Sequence, residues 1–142
     1  MTLTLEAAQT VVREALAHAR QHGFKPLSIV VLDARAAVVA AASEDGTSLK
    51  RFEIARGKAN GALAFGVGSR KLGEMAAERA HFFAGVAHVV GDGLVPGAGG
   101  VLIKDAGGAV IGAVGISGDT SDNDEAAAVV GIVAAGHVAD GG

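Results

Sequence analysis

Apolar and polar positions recur at two different periods along the chain, and each period predicts a different element. Across residues 4–22, Leu5, Ala8, Val11, Val12, Ala15, Leu16 and Ala19 fall on one side of a helix advancing about 100° per residue. Thr4 is placed to cap its start, Glu6 lies in the first turn, and Gly23 and Pro26 mark its end. Residues 27–32 and 38–42 are short apolar runs joined by residues 33–37. They predict a hairpin whose strands are buried on both faces, with helices covering each side. After a polar turn at residues 44–47, Leu49, Phe52, Ala55, Ala59, Ala62 and Leu63 return to helical spacing over residues 48–65. Residues 66–68 break that helix, and Ser69 is placed to cap a further one reaching about residue 82. Residues 86–90 have strand character.

The longest loop, residues 91–100, leads into a strand at 101–104. A turn at 106–108 and a strand at 109–117 complete a second hairpin. Ser121, with Asp124 three positions on, approximates a capping box for a final helix ending near Gly136. The order predicts one α+β domain over residues 1–142, with a largely antiparallel five-stranded sheet and helices on both faces.

Composition adds a constraint on the core. Half of the 142 residues are apolar, yet Trp, Tyr and Cys are absent, aromatics are five Phe only, and Gly numbers 22. Small side chains bury little area each, so close backbone approach must replace bulk, and subunit association is expected to bury more. A net charge of -3 lacks the positive field that nucleic-acid or anionic-membrane binding relies on. No apolar segment approaches the roughly 18 residues of a membrane span. The absence of cysteine excludes disulfides and thiolate chemistry, and the N-terminus does not read as a secretory signal, so a cytoplasmic location is expected.

Candidate chemistry is spread over the chain. Neither a phosphate-binding G-x-x-x-x-G-K-[ST] nor a dinucleotide-binding G-x-G-x-x-G is present, and the acidic residues opening the final helix repel an anion. His18 and His22 stand at i and i+4 at the edge of the apolar stripe, where a haem-iron ligand could sit. The ordinary reading is a pair of last-turn histidines meeting the helix dipole and water. Glu44 and Asp124 are candidate proton acceptors, and Lys58, among Ala55, Ala59 and Ala62, is a candidate stabiliser of a developing oxyanion. Against these stand solvated turn carboxylates and a snorkelling lysine. Phe65, Phe82 and Phe83 can stack on a planar ligand or fill the core. Phe65 and Phe83, with Gly99 and Gly100 at the end of the long loop, form the candidate ligand-binding set.

The C-terminal half carries a family resemblance. Gly99-Gly100-Val101-Leu102-Ile103, the strand Gly108-Ala109-Val110-Ile111-Gly112-Ala113-Val114-Gly115-Ile116-Ser117-Gly118 and then Asp124-Glu125-Ala126 resemble the GlcG/HbpS family of haem-degrading or haem-binding proteins. Leu5-xx-Ala8, Val30-Val31-Leu32-Asp33, Asp45-Gly46, Ile54-Ala55-xx-Lys58-Ala59 and Ser69-xx-Leu72 follow in the family's order. The resemblance implies a profilin-like sandwich, homo-oligomers and a small-molecule ligand, haem or another flat apolar compound; if haem binds, the i, i+4 spacing offers His18 and His22 as its iron ligands. Where the family usually reads Arg-Met-Asp-Gly, this chain has Ser43-Glu44-Asp45-Gly46. It has Arg35-Ala36 in place of a Gly-Gly turn, Gly61 in place of Thr, and Leu102 in place of Pro. The change at Ser43 and Glu44 makes the surroundings more negative and less suited to haem propionates. The rival readings are a cofactor-independent isomerase, lyase or hydrolase using Glu44, Lys58 and Asp124, and a structural accessory subunit of another enzyme.

Overall fold

A computed structural model describes residues 2–142. In chain order the elements are α1 (Leu5–Gln21), β1 (Ser28–Asp33), β2 (Val38–Ser43), α2 (Arg51–Phe65), α3 (Ser69–Glu78), α4 (Ala80–Val90), β3 (Gly100–Lys104), β4 (Val110–Ser117), α5 (Ser121–Ala134) and β5 (Val138–Asp140). The strands form one five-stranded sheet in the order β2-β1-β4-β3-β5, and every neighbouring pair is antiparallel. The expected α+β architecture, with helices on both faces, is the one observed.

Strand alternation divides the core into two layers. Ile29, Val31, Val101, Ile103, Val114 and Ile116 point to one face and meet Ala8, Val11, Ala15 and Ala19 of α1 and Ala127, Ala128 and Ile132 of α5. Val30, Leu32, Leu102 and Ala113 point to the other and meet Ala55, Ala59 and Ala62 of α2. The helices supply mostly alanine, so their backbones lie close to the sheet and to each other. Gly131 of α5 packs directly on the Val11 carbonyl of α1, and Gly115 of β4 packs on the Ala55 carbonyl of α2. A methyl group at either position would meet backbone, which cannot yield as a side-chain tip can.

Five sequence expectations are corrected. Ser69, expected to cap the third helix, is its first helical residue, and the N-cap is Gly68. Residues 86–90 are helical rather than extended: the third helix breaks at Arg79 (φ -134, ψ 56) and resumes as α4. A five-residue Ala/Val/His run carries no period that separates helix from strand, and here the helix begun at Ala80 continues through it. The fifth strand is instead β5, three residues paired with β3 at the sheet's edge. β2, expected to be buried on both faces, is an edge strand with partly exposed residues. The N-cap of α5 is Thr120, whose hydroxyl accepts from the Asn123 N–H at 3.2 Å, not Ser121. Thr4 caps α1 as expected, accepting from the Ala7 N–H at 3.1 Å. Among the described residues, no helix is long and apolar enough to cross a membrane.

The close approaches predict a sharp positional contrast. Gly115→Ala is expected to cost about 2 kcal/mol or more, since overpacking against backbone cannot relax locally. Gly85→Ala in α4, with nothing within 4 Å of the added methyl, is expected to be neutral or stabilising by about 0.5–1 kcal/mol through helix propensity. Urea unfolding midpoints of the two variants check the contrast.

Candidate functional site

Two candidate catalytic residues are brought together and the third is not. Lys58, on the sheet-facing side of α2, donates from Nζ to the Ile116 carbonyl at 2.9 Å and to Asp124 Oδ2 at 3.3 Å. The other Asp124 oxygen accepts the Asp119 N–H at 3.0 Å. The two side chains are 5% and 1% exposed. Burial pushes the Lys58 ammonium down, with the positive charge of Arg51 adding to it and Asp124 opposing; burial likewise pushes the Asp124 carboxyl up. Gly99 and Gly100 close over this pair: Gly99 lies against the Lys58 side chain and the Ile116 carbonyl, Gly100 against the Lys58 carbonyl and Ser69 Oγ. Ser69 Oγ donates to the Gly97 carbonyl at 2.5 Å and accepts from the Gly100 N–H at 2.6 Å, pinning the loop in place. The pair thus ties α2, β4, α5 and the long loop together, enclosed from solvent.

Glu44 sits just beyond the end of β2, beside α1. Its Oε1 accepts the Leu27 N–H at 2.8 Å and an Arg20 N–H at 3.1 Å, and its Oε2 lies 2.8 Å from Arg20 Nε. Its carboxylate is held in structural contacts and shares none with Lys58 or Asp124 among the described residues. An open depression of about 460 Å³ adjoins it, lined by Arg20, Pro26, Ser43, Glu44 and Asp45.

At the C-terminal end of α1 the two candidate iron ligands form a ring cluster. The centroids of His18 and His22 are 4.1 Å apart, and Phe24 meets His18 edge-on at 5.6 Å. His22 Nδ1 lies 2.8 Å from the His18 carbonyl, so the tautomer that satisfies this contact donates from Nδ1 and leaves the Nε2 lone pair free. Partial burial, followed by repulsion from His22, pushes the His18 imidazole below its ordinary value and favours its neutral, ligating form. Among the described residues no group of three His, Cys, Asp or Glu side chains could hold a bare metal ion. A single imidazole suffices for an iron whose equatorial positions a porphyrin already fills, and His18 or His22 can supply it. The donor set therefore fits haem.

The aromatic candidates lie on the opposite side of the sheet. Phe65 at the end of α2 and Phe83 of α4 stack on each other, centroids 5.5 Å apart and planes 15° apart, while Phe82 meets Phe83 edge-on and carries Arg79 over its ring at 4.2 Å. Each of Phe65 and Phe83 already covers a face of the other. A flat ligand against one protomer reaches the histidines or the phenylalanines, not both.

Arg51, Asp119 and Asn60 fix further contacts between segments. Arg51 donates to Ser117 Oγ at 3.1 Å and to Ser48 Oγ at 3.2 Å. Asp119 accepts the Lys25 N–H at 2.7 Å, the Thr120 N–H at 2.8 Å and the Asn123 side chain at 2.8 Å, which together hold its pKa down at about 2. Asn60 donates to the Gly91 and Gly93 carbonyls at 2.7 and 2.9 Å, anchoring the long loop on α2. Asp119 belongs to the acidic run that opens the final helix in the sequence, whereas Arg51 and Asn60 carry no such signal.

Comparison with known proteins gives one family and several solved structures. The profile of the family described as haem degrading protein HbpS-like matches residues 3–133. A crystal structure of a PduOC–haem complex superposes with a TM-score of 0.83 at 25% identity, covering 94% of this chain and 95% of that one. A crystal structure of HbpS gives 0.80 at 26% identity, covering 94% and 89%. The Klebsiella pneumoniae protein ORFY, of family DUF336, shares the fold at 0.84 with 22% identity, covering 96% and 92%. No curated protein matches the chain.

Two outcomes test the electrostatics. Lys58→Met leaves Asp124 buried without its cation and is expected to cost about 3–5 kcal/mol, whereas Lys58→Met with Asp124→Leu costs far less than the sum of the single changes. Urea denaturation of the four proteins measures the coupling. Asp119 falls from its ordinary 3.8 to about 2 in the fold, so its contribution is full above pH 3.8 and is lost as pH falls through about 2. Asp119→Asn is therefore expected to flatten the acid limb of stability between about pH 5 and about pH 2, read from urea midpoints.

Proposed function

We propose that the chain, which belongs to the HbpS-like haem-degrading family, binds haem through the imidazole of His18 or His22 and does so as a homo-oligomer. The observation that carries this reading is the neighbouring imidazole pair on α1, with His22 anchored at Nδ1 by the His18 carbonyl and its Nε2 left free. Phe24 adds an apolar edge to the same cluster. Bound there, haem supplies a redox-active iron, and the chain supplies an oriented neutral imidazole and a partly apolar surface. The haem complex of a PduOC protein supports the choice of ligand, as does the name of the family.

The surroundings also say what does not hold the ligand. Glu44 and Asp45 line the adjoining depression, and Arg20 there is already paired with Glu44, so propionate pairing contributes little. The imidazole bond and a covering surface must contribute the affinity instead. On one chain the histidines stand on an open helix surface, which leaves one side of a flat ring system in water. A second copy is the natural cover. α4 packs on α3 and on Phe65 at the end of α2, and displays Phe82 and Val89 at 43% and 84% exposure, the apolar surface expected of a chain that self-associates.

Titration of the protein with hemin is expected to give a shifted, saturable Soret band. His22→Ala is expected to weaken binding about tenfold or more, and His18→Ala to alter the band, because the axial bond is lost or replaced. Free-hemin spectra at stoichiometric protein would contradict the reading. Retained binding with unaltered spectra in both variants would move the ligand to another surface and favour a flat molecule held without an imidazole bond. Sedimentation is expected to give a multiple of 13.9 kDa.

A further inference from the structure

The end of the sheet beside α2 carries a cation that nothing in the fold neutralises. Arg51 is half-buried, and two of its nitrogens are fixed: Nε donates to Ser48 Oγ at 3.2 Å and Nη1 to the buried Ser117 Oγ at 3.1 Å. Both partners are neutral hydroxyls. Among the described residues no carboxylate lies within ion-pair distance of the Arg51 guanidinium. A partly desolvated guanidinium without a counter-charge is unfavourable unless an anion from solution completes it.

The space for such an anion is present. A cavity of about 210 Å³ opens in front of Arg51, lined also by Lys25, Pro26, Gly46, Thr47, Ser48 and Gly118. The Ser48 hydroxyl accepts from Arg51 and so can donate its own proton into the cavity, as can the Thr47 hydroxyl. Arg51 retains one Nη1 proton and both Nη2 protons, the pair of nitrogens that receives a carboxylate in bidentate fashion. Around it stand the charges of Lys25 and Asp119, while Lys58 behind Ser117 is matched by Asp124. The oxygens of Asp119 are occupied by Lys25, Thr120 and Asn123 donors. Arg51 and Lys25 against Asp119 leave a local charge of about +1, which suits one negative charge better than two.

We propose that this cavity is a binding site for the carboxylate of a small organic acid, with Arg51 as its anchor and Ser48 and Thr47 as supporting donors. The site is independent of the haem reading and uses none of its residues.

Haem-free, nitrogen-15-labelled protein is titrated with sodium acetate, and separately with inorganic phosphate, against sodium chloride at equal ionic strength. Acetate is expected to give saturable shifts at the Arg51 Nε–H and the Thr47, Ser48 and Gly118 amides. Arg51→Lys, which keeps the charge but loses the fork, and Arg51→Gln are expected to weaken the response about tenfold or more, while His22→Ala leaves it unchanged. Circular dichroism verifies that each variant folds, and Arg51→Lys alone carries the test if Arg51→Gln does not. Shifts that match those of chloride, or an equal acetate response in Arg51→Lys, would overturn the proposal. Phosphate binding more tightly than acetate would overturn the assignment to a singly charged carboxylate.

Discussion

Close contact between backbones, made possible by side chains no larger than a methyl group, is the constraint on which this structure depends. The inner strands β1 and β3 bring Val, Ile and Leu to both faces, but the helices answer mostly with alanine and glycine. Gly131 against Val11 and Gly115 against Ala55 mark where two backbones meet with nothing between them. A core assembled this way is dense and thin. The candidate ligand groups, the imidazoles of α1 and Arg51 of α2, stand at its margins.

The buried Lys58–Asp124 pair shows the same economy. A cation and an anion stand where α2, β4, α5 and the long loop converge, each satisfied by one backbone group and by the other. Gly99 and Gly100 are glycine because the loop must lie directly on the lysine. Such a pair specifies the relative placement of four segments more than it adds stability. The groups free to meet a ligand are those at the rim: the imidazoles at the end of α1, and Arg51 at the start of α2.

Much of the fold is legible in local pattern. The apolar stripe of α1, its Thr4 cap and both hairpins follow from residues a few positions apart, and the i, i+4 spacing alone brings His18 and His22 together. What local pattern misses is set by partners far along the chain. Residues 86–90 extend a helix because α4 has already begun at Ala80, and Val138–Asp140 is a strand only because the edge of β3 is vacant. Lys58 meets Asp124 across 66 positions, and Arg51 meets Ser117 across the same separation, so neither pairing leaves a local signature. Glu44, one of three acid–base candidates by composition, is drawn away by Arg20 and the Leu27 N–H.

The central claim is that haem docks on the outer surface of α1 and is enclosed by a second copy, not by the interior of one chain. A crystal structure of the hemin-loaded protein tests it most directly. The account predicts iron bonded to an imidazole nitrogen of His18 or His22, with the porphyrin lying between two chains. A porphyrin seated against Phe65 and Phe83, or enclosed wholly within one chain, would contradict it.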